Sequence, residues 1–298
     1  MKTDDVGHVP VLLMEAVDGL NVIPGKWYID ATFGRGGHTR EILSRGGKVI
    51  AFDQDSDAIM YGQRHFVFEL EKRSLVLIKR NFEFLEEEVR KLGFEVATDI
   101  YGVLADFGVS SNQLDEGERG FSFSAEAHLD MRMSQEQIVA AKDLVNGLGN
   151  KELQQLLIEF GGERHARVIA EAIVKQRKQA PIKTTKELAD LIASVVRREG
   201  HLHPATKTFM ALRMLVNDEL GVIQRMLPQA FALLQPTGRL VTISFHEGED
   251  RLVKHFMKEK ASEGKAMLVT KKPITVSEEE IEQNSRSRSA KLRIAEKE

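Results

Sequence analysis

The 298-residue chain contains no cysteine, which excludes a disulfide framework, a thiolate zinc site and a cysteine nucleophile. It also lacks any apolar stretch approaching the roughly 18 residues needed to span a membrane. The opening residues, Met1-Lys-Thr-Asp-Asp-Val6, are polar and acidic, so no secretory signal peptide is expected. No internal repeat or low-complexity tract stands out. A net charge of −3 argues against a protein coated in base for nucleic acid. These absences fit a cytoplasmic enzyme of one or two domains with a substantial buried core.

The most informative positive feature is Asp30-Ala-Thr-Phe-Gly-Arg-Gly-Gly-His38, with Asp53 fifteen residues beyond His38. Tyr28-Ile29-Asp30 reads as the end of a buried strand. Gly34, Gly36 and Gly37 then form a turn whose backbone can approach a ligand without Cβ atoms in the way. Thr39 to Leu43 reads as the start of a helix, and Lys48-Val-Ile-Ala-Phe52 as a second strand ending on Asp53. Strand, glycine turn, helix, strand and acid is the layout of a nucleotide-type site, the acid accepting hydrogen bonds from a ribose diol. The run is D-x-T-x-G-x-G-G rather than G-x-G-x-x-G, and it starts from a carboxylate that would repel phosphate. A cationic ligand suits it better, and S-adenosylmethionine carries both a sulfonium and an ammonium. A bare glycine turn is also what a tight strand-to-helix connection needs; the flanking acids favour the cofactor.

Seven strands are expected: Trp27 to Asp30, Val49 to Asp53, Leu75 to Ile78, Gly102 to Asp106, Leu240 to Phe245, Met267 to Thr270 and Leu292 to Ala295. Their alternation with helical stretches implies an α/β, doubly wound, mostly parallel sheet. The rhythm breaks after Asp106. From Leu114 to Pro204 every periodic segment looks helical, including one opened by a capping box at Thr184-Thr-Lys-Glu187. This predicts an inserted helical domain over 114–205 within a discontinuous domain of 1–113 and 206–298. A helix from about Phe209 to Leu234 and a turn at Gln235-Pro-Thr-Gly238 should lead back into the sheet, and the acidic Ser277 to Glu282 should be an exposed loop.

Charge is unevenly distributed. Between Arg164 and Arg213 there are eleven Lys or Arg against four acids. Arg164, Arg167, Glu171, Lys175 and Lys178 fall on one helix face at spacings of three and four, and Asn284 to Arg293 carries four bases and no acid. A single charged stripe is usually just a solvated face. Two separate basic segments point to a polyanion, with phosphate contacts supplying affinity. Leu104-Ala-Asp-Phe-Gly-Val-Ser-Ser-Asn-Gln-Leu-Asp115 adds an acid, two hydroxyls and two amides beyond strand four, where a methyl acceptor would sit. His246 emerges on the same edge, although a lone histidine there is more often a structural hydrogen-bonder.

Nine motifs occur in order, from His8-Val-Pro-Val-Leu-Leu13 and the glycine turn through Asp106 to Asp115, Arg119-Gly-Phe-Ser-Phe123 and Leu129-Asp-Met-Arg-Met133. His203-Pro-Ala-Thr-Lys207, Val216-Asn217, Ile243-Ser-Phe-His246 and Asn284-Ser-Arg-Ser-Arg-Ser289 complete them. Over residues 8 to 296 the set resembles the bacterial small-subunit ribosomal RNA cytosine-N4 methyltransferase family, historically called MraW, which modifies the decoding region. The resemblance implies a class I methyltransferase fold with an inserted helical domain and S-adenosylmethionine as methyl donor. It implies a cofactor site at Gly36, Gly37, His38, Asp53, Phe82, Asp106 and Gln113, with Asp53 on the ribose and Phe82 on the adenine. Asp106, Ser110 and Ser111 are candidates to hold the acceptor amine, and Phe121 or Phe123 could stack on the target base. Arg164, Arg167, Lys175, Lys178, Arg286 and Arg288 are candidates for contact with RNA, and no metal is called for. The partner implied is small-subunit ribosomal RNA or the small ribosomal subunit, not a membrane; monomer and homodimer both stay open. Asn112, Phe107 and Glu247-Gly248 depart from the usual Pro, Leu and Ser-Leu of the family. A nicotinamide-dependent oxidoreductase is disfavoured by Asp30. A non-catalytic RNA-binding or ribosome-assembly factor retaining the cofactor fold is the remaining alternative.

Replacing Arg164, Arg167, Lys175 and Lys178 with Gln should leave S-adenosylmethionine affinity intact while weakening RNA binding. The slope of log affinity against log salt should flatten by up to about 0.7–0.9 for each phosphate no longer neutralised. Unchanged affinity and slope at two salt concentrations would reduce the stripe to solvated surface.

Overall fold

The computed structural model describes residues 10–108, 119–123, 126–134, 136–198 and 203–298. The chain divides into two compact units, residues 1–108 with 220–298 and residues 109–219.

The first unit is built on a sheet of β1 (Trp27–Asp30), β2 (Lys48–Asp53), β3 (Leu75–Lys79), β4 (Ile100–Asp106), β5 (Leu234–Ser244), β6 (Ala266–Leu268), β7 (Ile274–Thr275) and β8 (Lys291–Lys297). The order is β3-β2-β1-β4-β5-β8-β6, with the short β7 also pairing with β8. β1 to β5 are parallel, whereas β8 runs antiparallel to β5, β6 and β7. This is a doubly wound, mostly parallel α/β architecture, with one short strand more than expected. Continuous apolar runs such as Val49-Ile-Ala-Phe52 are what a sheet covered on both faces requires. Alternate residues go to opposite cores. Tyr28, Val49, Ala51, Leu104 and Val241 pack with α1 (Leu13–Leu20), α2 (Gly37–Ser44), α3 (Ser56–His65) and the short α4 (Val67–Glu71). Ile29, Ile50, Phe52, Val103 and Leu240 pack with α5 (Leu85–Lys91), α11 (Glu219–Leu233) and α12 (Glu247–Ser262).

Several expectations are corrected. The turn at Gln235 to Gly238 is absorbed into β5 as an irregularity: pairing steps from Ile100–Leu234 to Gly102–Arg239, and Thr237 takes φ of 66°. The acidic Ser277 to Glu282 stretch is not a loop. Ser277 caps a short helix, α13 (Glu278–Gln283), by accepting a hydrogen bond from the Glu280 amide. The long helix expected from Phe209 is two helices, α10 (Thr206–Val216) and α11, broken at Asn217 and Asp218, whose φ is 47°. Asn217 is buried, donates to the carbonyls of Met131 and Arg213 and accepts from the Met133 amide. Those bonds end the helix where apolar periodicity alone would have carried it on.

The second unit contains α6 (Ala141–Gly147), α7 (Asn150–Glu159), α8 (Ala166–Arg177), α9 (Thr185–Val195) and α10. Its core includes Leu153, Leu157, Ile169, Ile173, Leu188, Ile192, Phe209 and Leu212. Because α10 supplies Phe209 and Leu212, the boundary falls after Glu219 rather than before Thr206. The capping box forms as expected: Thr184 Oγ1 accepts from the Glu187 amide, and Glu187 Oε2 accepts from the Thr184 amide.

One tail base is not a surface charge. Arg293 on β8 is 9% exposed and donates to both oxygens of Asp250 on α12, at 2.7 and 3.1 Å. Lys291 lies 3.8 Å from the same carboxylate. Burial opposes ionisation of Asp250, but the hydrogen bonds and charge of Arg293 outweigh it and hold the carboxyl below its usual range. Asp250→Ala should therefore cost about 3–5 kcal/mol in denaturant unfolding, because it strands a buried guanidinium. Asp250→Leu with Arg293→Met should recover most of that loss. A near-neutral single variant would show the pair to be solvated.

Candidate functional site

Asp53, Asp30 and Asp106 end β2, β1 and β4, neighbours in the sheet, so three acids share one carboxyl-terminal edge. Asp30 is 1% exposed. Its two oxygens accept from the Thr32 amide at 3.1 Å and the Thr39 hydroxyl at 2.6 Å, tying the strand end to the first turn of α2. Thr32 Oγ1 in turn accepts from the Asp106 amide at 2.7 Å. The Asp30 carboxylate therefore braces the turn from beneath and reaches a ligand only through its field.

The turn itself depends on glycine at one position above all. Gly36 caps α2 with φ of 70°, and a Cβ there would stand 2.6 Å from the rings of Phe33 and Phe66. A Cβ on Gly37 would overlap the ring of Pro10. Asp53 holds the other side: Oδ2 accepts from the Gly34 amide at 2.9 Å and Oδ1 from the Asp55 amide at 2.8 Å. Each oxygen keeps a second lone pair for a diol. Burial pushes the Asp53 carboxyl up to about 6, against the pull of those two amides.

Asp106 is differently placed. Its Oδ1 is buried and has no hydrogen-bond partner among the described residues, and its Oδ2 lies 4.0 Å from His38 Nδ1. Burial first, then the charges of Asp30 and Glu249, raises its proton affinity well above the carboxylate range. His38 is 5% exposed, with Nε2 3.2 Å from the Val11 carbonyl. A carbonyl only accepts, so Nε2 carries a proton. Phe82 opens a 3-10 turn after β3, its ring centroid 6.1 Å from that of Phe107, which follows Asp106. The fold thus gathers Gly36, Gly37, His38, Asp53, Phe82 and Asp106 in one unit; Ser110, Ser111 and Gln113 lie outside the described residues.

Three participants escaped the sequence reading. Thr32 sits inside the motif, where a threonine two residues after the acid was the available signal, and Thr39 directly follows the motif. Glu249 is 1% exposed and accepts from the amides of Phe245 and His246 at 2.7 and 3.3 Å. His246 proves structural, since its Nδ1 accepts from the Gly248 and Glu249 amides at the start of α12.

The basic residues divide into kinds. Arg164, Arg167, Lys175 and Lys178 are all exposed, but α8 starts at Ala166, so Arg164 precedes the helix and Lys178 follows it. Arg167 is engaged by Glu171 at 2.9 Å. Arg286 and Arg288 are exposed in a 3-10 turn over Ser285–Ser289. Phe121 belongs to the core of the helical unit, and Phe123 packs on Phe209 and His203, so both aromatic rings have structural partners.

Comparison with known proteins places the chain in a family. The MraW methylase family model matches residues 5–298. The chain belongs to that family. It is 46% identical to "Ribosomal RNA small subunit methyltransferase H" of Caldicellulosiruptor bescii over 97% of this chain and 99% of the relative. Proteins of the same name from Lactobacillus johnsonii and Brevibacillus brevis are 44% and 41% identical, over 97% and 100% of this chain and 98% and 100% of theirs.

Burial pushes Asp30 up to about 6 from 3.8, against hydrogen bonds from Thr39 and Thr32. The folded protein therefore binds this proton more tightly than the unfolded chain. That contribution to stability is complete below about pH 3.8 and is lost as pH rises through about 6. At about 1.4 kcal/mol per unit the loss is roughly 3 kcal/mol. Asp30→Asn removes it, so the stability of the variant relative to the parent should improve between pH 4 and 7 in denaturant unfolding. A difference that stays flat with pH would sink this assignment.

Proposed function

We propose that this protein transfers the methyl group of S-adenosylmethionine to small-subunit ribosomal RNA, at the exocyclic N4 of a cytosine in the decoding region. The observation that carries it is identity of 41–46%, over nearly full length, to proteins named as small-subunit ribosomal RNA methyltransferases. The site fits the cofactor. The Gly36–Gly37 backbone has no Cβ to obstruct the methionine part, Asp53 has lone pairs for the ribose hydroxyls, and Phe82 offers a ring face to the adenine. The buried, unpartnered Asp106 Oδ1 is an acceptor waiting for a donor or a cation.

The bound cofactor supplies an electrophilic methyl on a cationic sulfur, so positioning for in-line displacement provides much of the rate. The acceptor is the harder problem, because the cytosine amine is conjugated with its ring. Hydrogen-bond acceptors at both amine protons favour a pyramidal nitrogen with an available lone pair; Asp106, with Ser110 and Ser111, takes that role. A paired or stacked cytosine cannot present its amine to this edge, so the base is splayed from the RNA. Arg164, Arg167, Lys175, Lys178, Arg286 and Arg288 hold the phosphates.

Purified small ribosomal subunits incubated with methyl-labelled S-adenosylmethionine should yield N4-methylcytidine on nucleoside mass spectrometry. Label in another nucleoside would refute the N4 assignment. RNA binding without transfer would make the protein a non-catalytic assembly factor. Asp53→Ala should weaken S-adenosylmethionine by roughly 1.5–3 kcal/mol in calorimetry, the range for hydrogen bonds to a charged group. Undiminished affinity in a folded variant would remove Asp53 from the ribose site.

A further inference from the structure

Three carboxyl groups of one unit gather at the site edge. Asp30 and Glu249 are each 1% exposed, and Asp106 has one oxygen sealed from solvent without a partner. Among the described residues none of the three makes an ion pair with Lys or Arg. Asp30 is satisfied by Thr32 and Thr39. Glu249 is satisfied by two backbone amides, with His246 Nε2 lying 3.1 Å from its Oε1. His246 Nδ1 in turn accepts from the Gly248 and Glu249 amides at the start of α12.

Among the described residues, the titratable groups that act on Asp106 are Asp30 from β1, His38 from α2 and Glu249 from α12. Burial first, and then repulsion from Asp30 and Glu249, disfavours its ionised form and holds the carboxyl well above its usual range. A carboxyl so placed ionises most readily when a cation arrives beside it.

We infer that Asp106, backed by the buried carboxylates of Asp30 and Glu249, makes this site distinguish the cationic sulfonium donor from the neutral thioether left after methyl transfer. The inference rests on the S-adenosylmethionine reading above and adds the property that separates donor from product. In the transfer the acceptor nitrogen forms a bond to the methyl carbon, the carbon–sulfur bond breaks, and the sulfur keeps the electron pair. The nitrogen then gives its extra proton to solvent. Donor and product therefore share adenine, ribose, ammonium and carboxylate, and differ by a methyl and one positive charge. A site held together by Asp53, Phe82 and the glycine turn alone would bind both with similar strength. The buried acids add attraction for the donor only, and the product leaves behind a carboxyl that takes up a proton.

Isothermal titration calorimetry on the full chain tests this with three ligands: S-adenosylmethionine, S-adenosylhomocysteine, and sinefungin, which carries an ammonium in place of the sulfonium and donates no methyl. At pH 8 the parent should bind both cationic ligands at least about tenfold more tightly than S-adenosylhomocysteine, equivalent to about 1.4 kcal/mol. That preference should shrink as pH falls toward 5.5, because a protonated Asp106 has no charge to offer. Asp106→Asn should reduce the preference to within about threefold at every pH. Glu249→Gln should shift the onset of the preference to lower pH, since removing a neighbouring negative charge makes Asp106 easier to ionise. Should Asp106→Asn fail to fold, the parent's pH series and Glu249→Gln decide the matter. Equal binding of the three ligands by the parent, or an unchanged ratio in folded Asp106→Asn, overturns the inference while leaving the cofactor assignment standing. If the parent binds none of them, the cofactor assignment itself falls.

Discussion

The hydrogen bonds that Asp30 accepts from Thr32 and Thr39 are the constraint on which the rest of the site depends. They stop β1, reverse the chain and start α2 within a few residues. Thr32 passes the restraint to a neighbouring strand by receiving the Asp106 amide. Three elements are thereby held in fixed relation at the one edge where ligands of open α/β sheets sit. The Gly34 amide is then free to meet Asp53, and Gly36 can take its left-handed conformation between two phenylalanine rings. A buried acid costs stability at neutral pH, and here its use is geometric: its two oxygens accept separately, one from the Thr32 amide and one from the Thr39 hydroxyl.

What could be read from the chain follows the range of the interactions involved. The glycine turn, the acids at strand ends and the Thr184–Glu187 capping box were legible, because each is a local pattern with a fixed spacing. The bridge from Thr32 to Asp106 was not, since it joins residues 74 positions apart. The break at Asn217 was missed for the same reason. Helical periodicity continues across it, and only the distant Met131 and Met133 give the amide side chain a reason to stop the helix. Likewise the acidic stretch after Ser277 reads as loop by composition, yet a serine cap and three successive glutamates in the first turn are what a helix N-terminus favours.

Charge counting proved a coarser guide than charge placement. The tail at Asn284 to Arg293 looks uniformly basic as a string of letters, but Arg286 and Arg288 face solvent while Arg293 is spent on Asp250. In the stripe around α8, Arg167 is already engaged by Glu171. Net charge hides the opposite case too, in which Asp30, Asp106 and Glu249 place three carboxyl groups together at one sheet edge, which no count of surface residues would reveal. Solvation decides between these uses, and solvation is a property of the fold.

The alternation along β8 also governs which strand pairings are permitted. Leu292 and Ile294 point into the core beneath α1, where Ile294 fills the space a Cβ on Gly19 would need, while Arg293 turns the other way to Asp250. Sliding β8 by one residue against β5 would reverse every side chain, driving a guanidinium toward Gly19 and leaving Asp250 without its counter-charge. An antiparallel strand added next to a run of parallel ones has few other marks of register. The ion pair therefore acts as a key, admitting one alignment of the closing strand and penalising its neighbours, whatever it contributes to net stability.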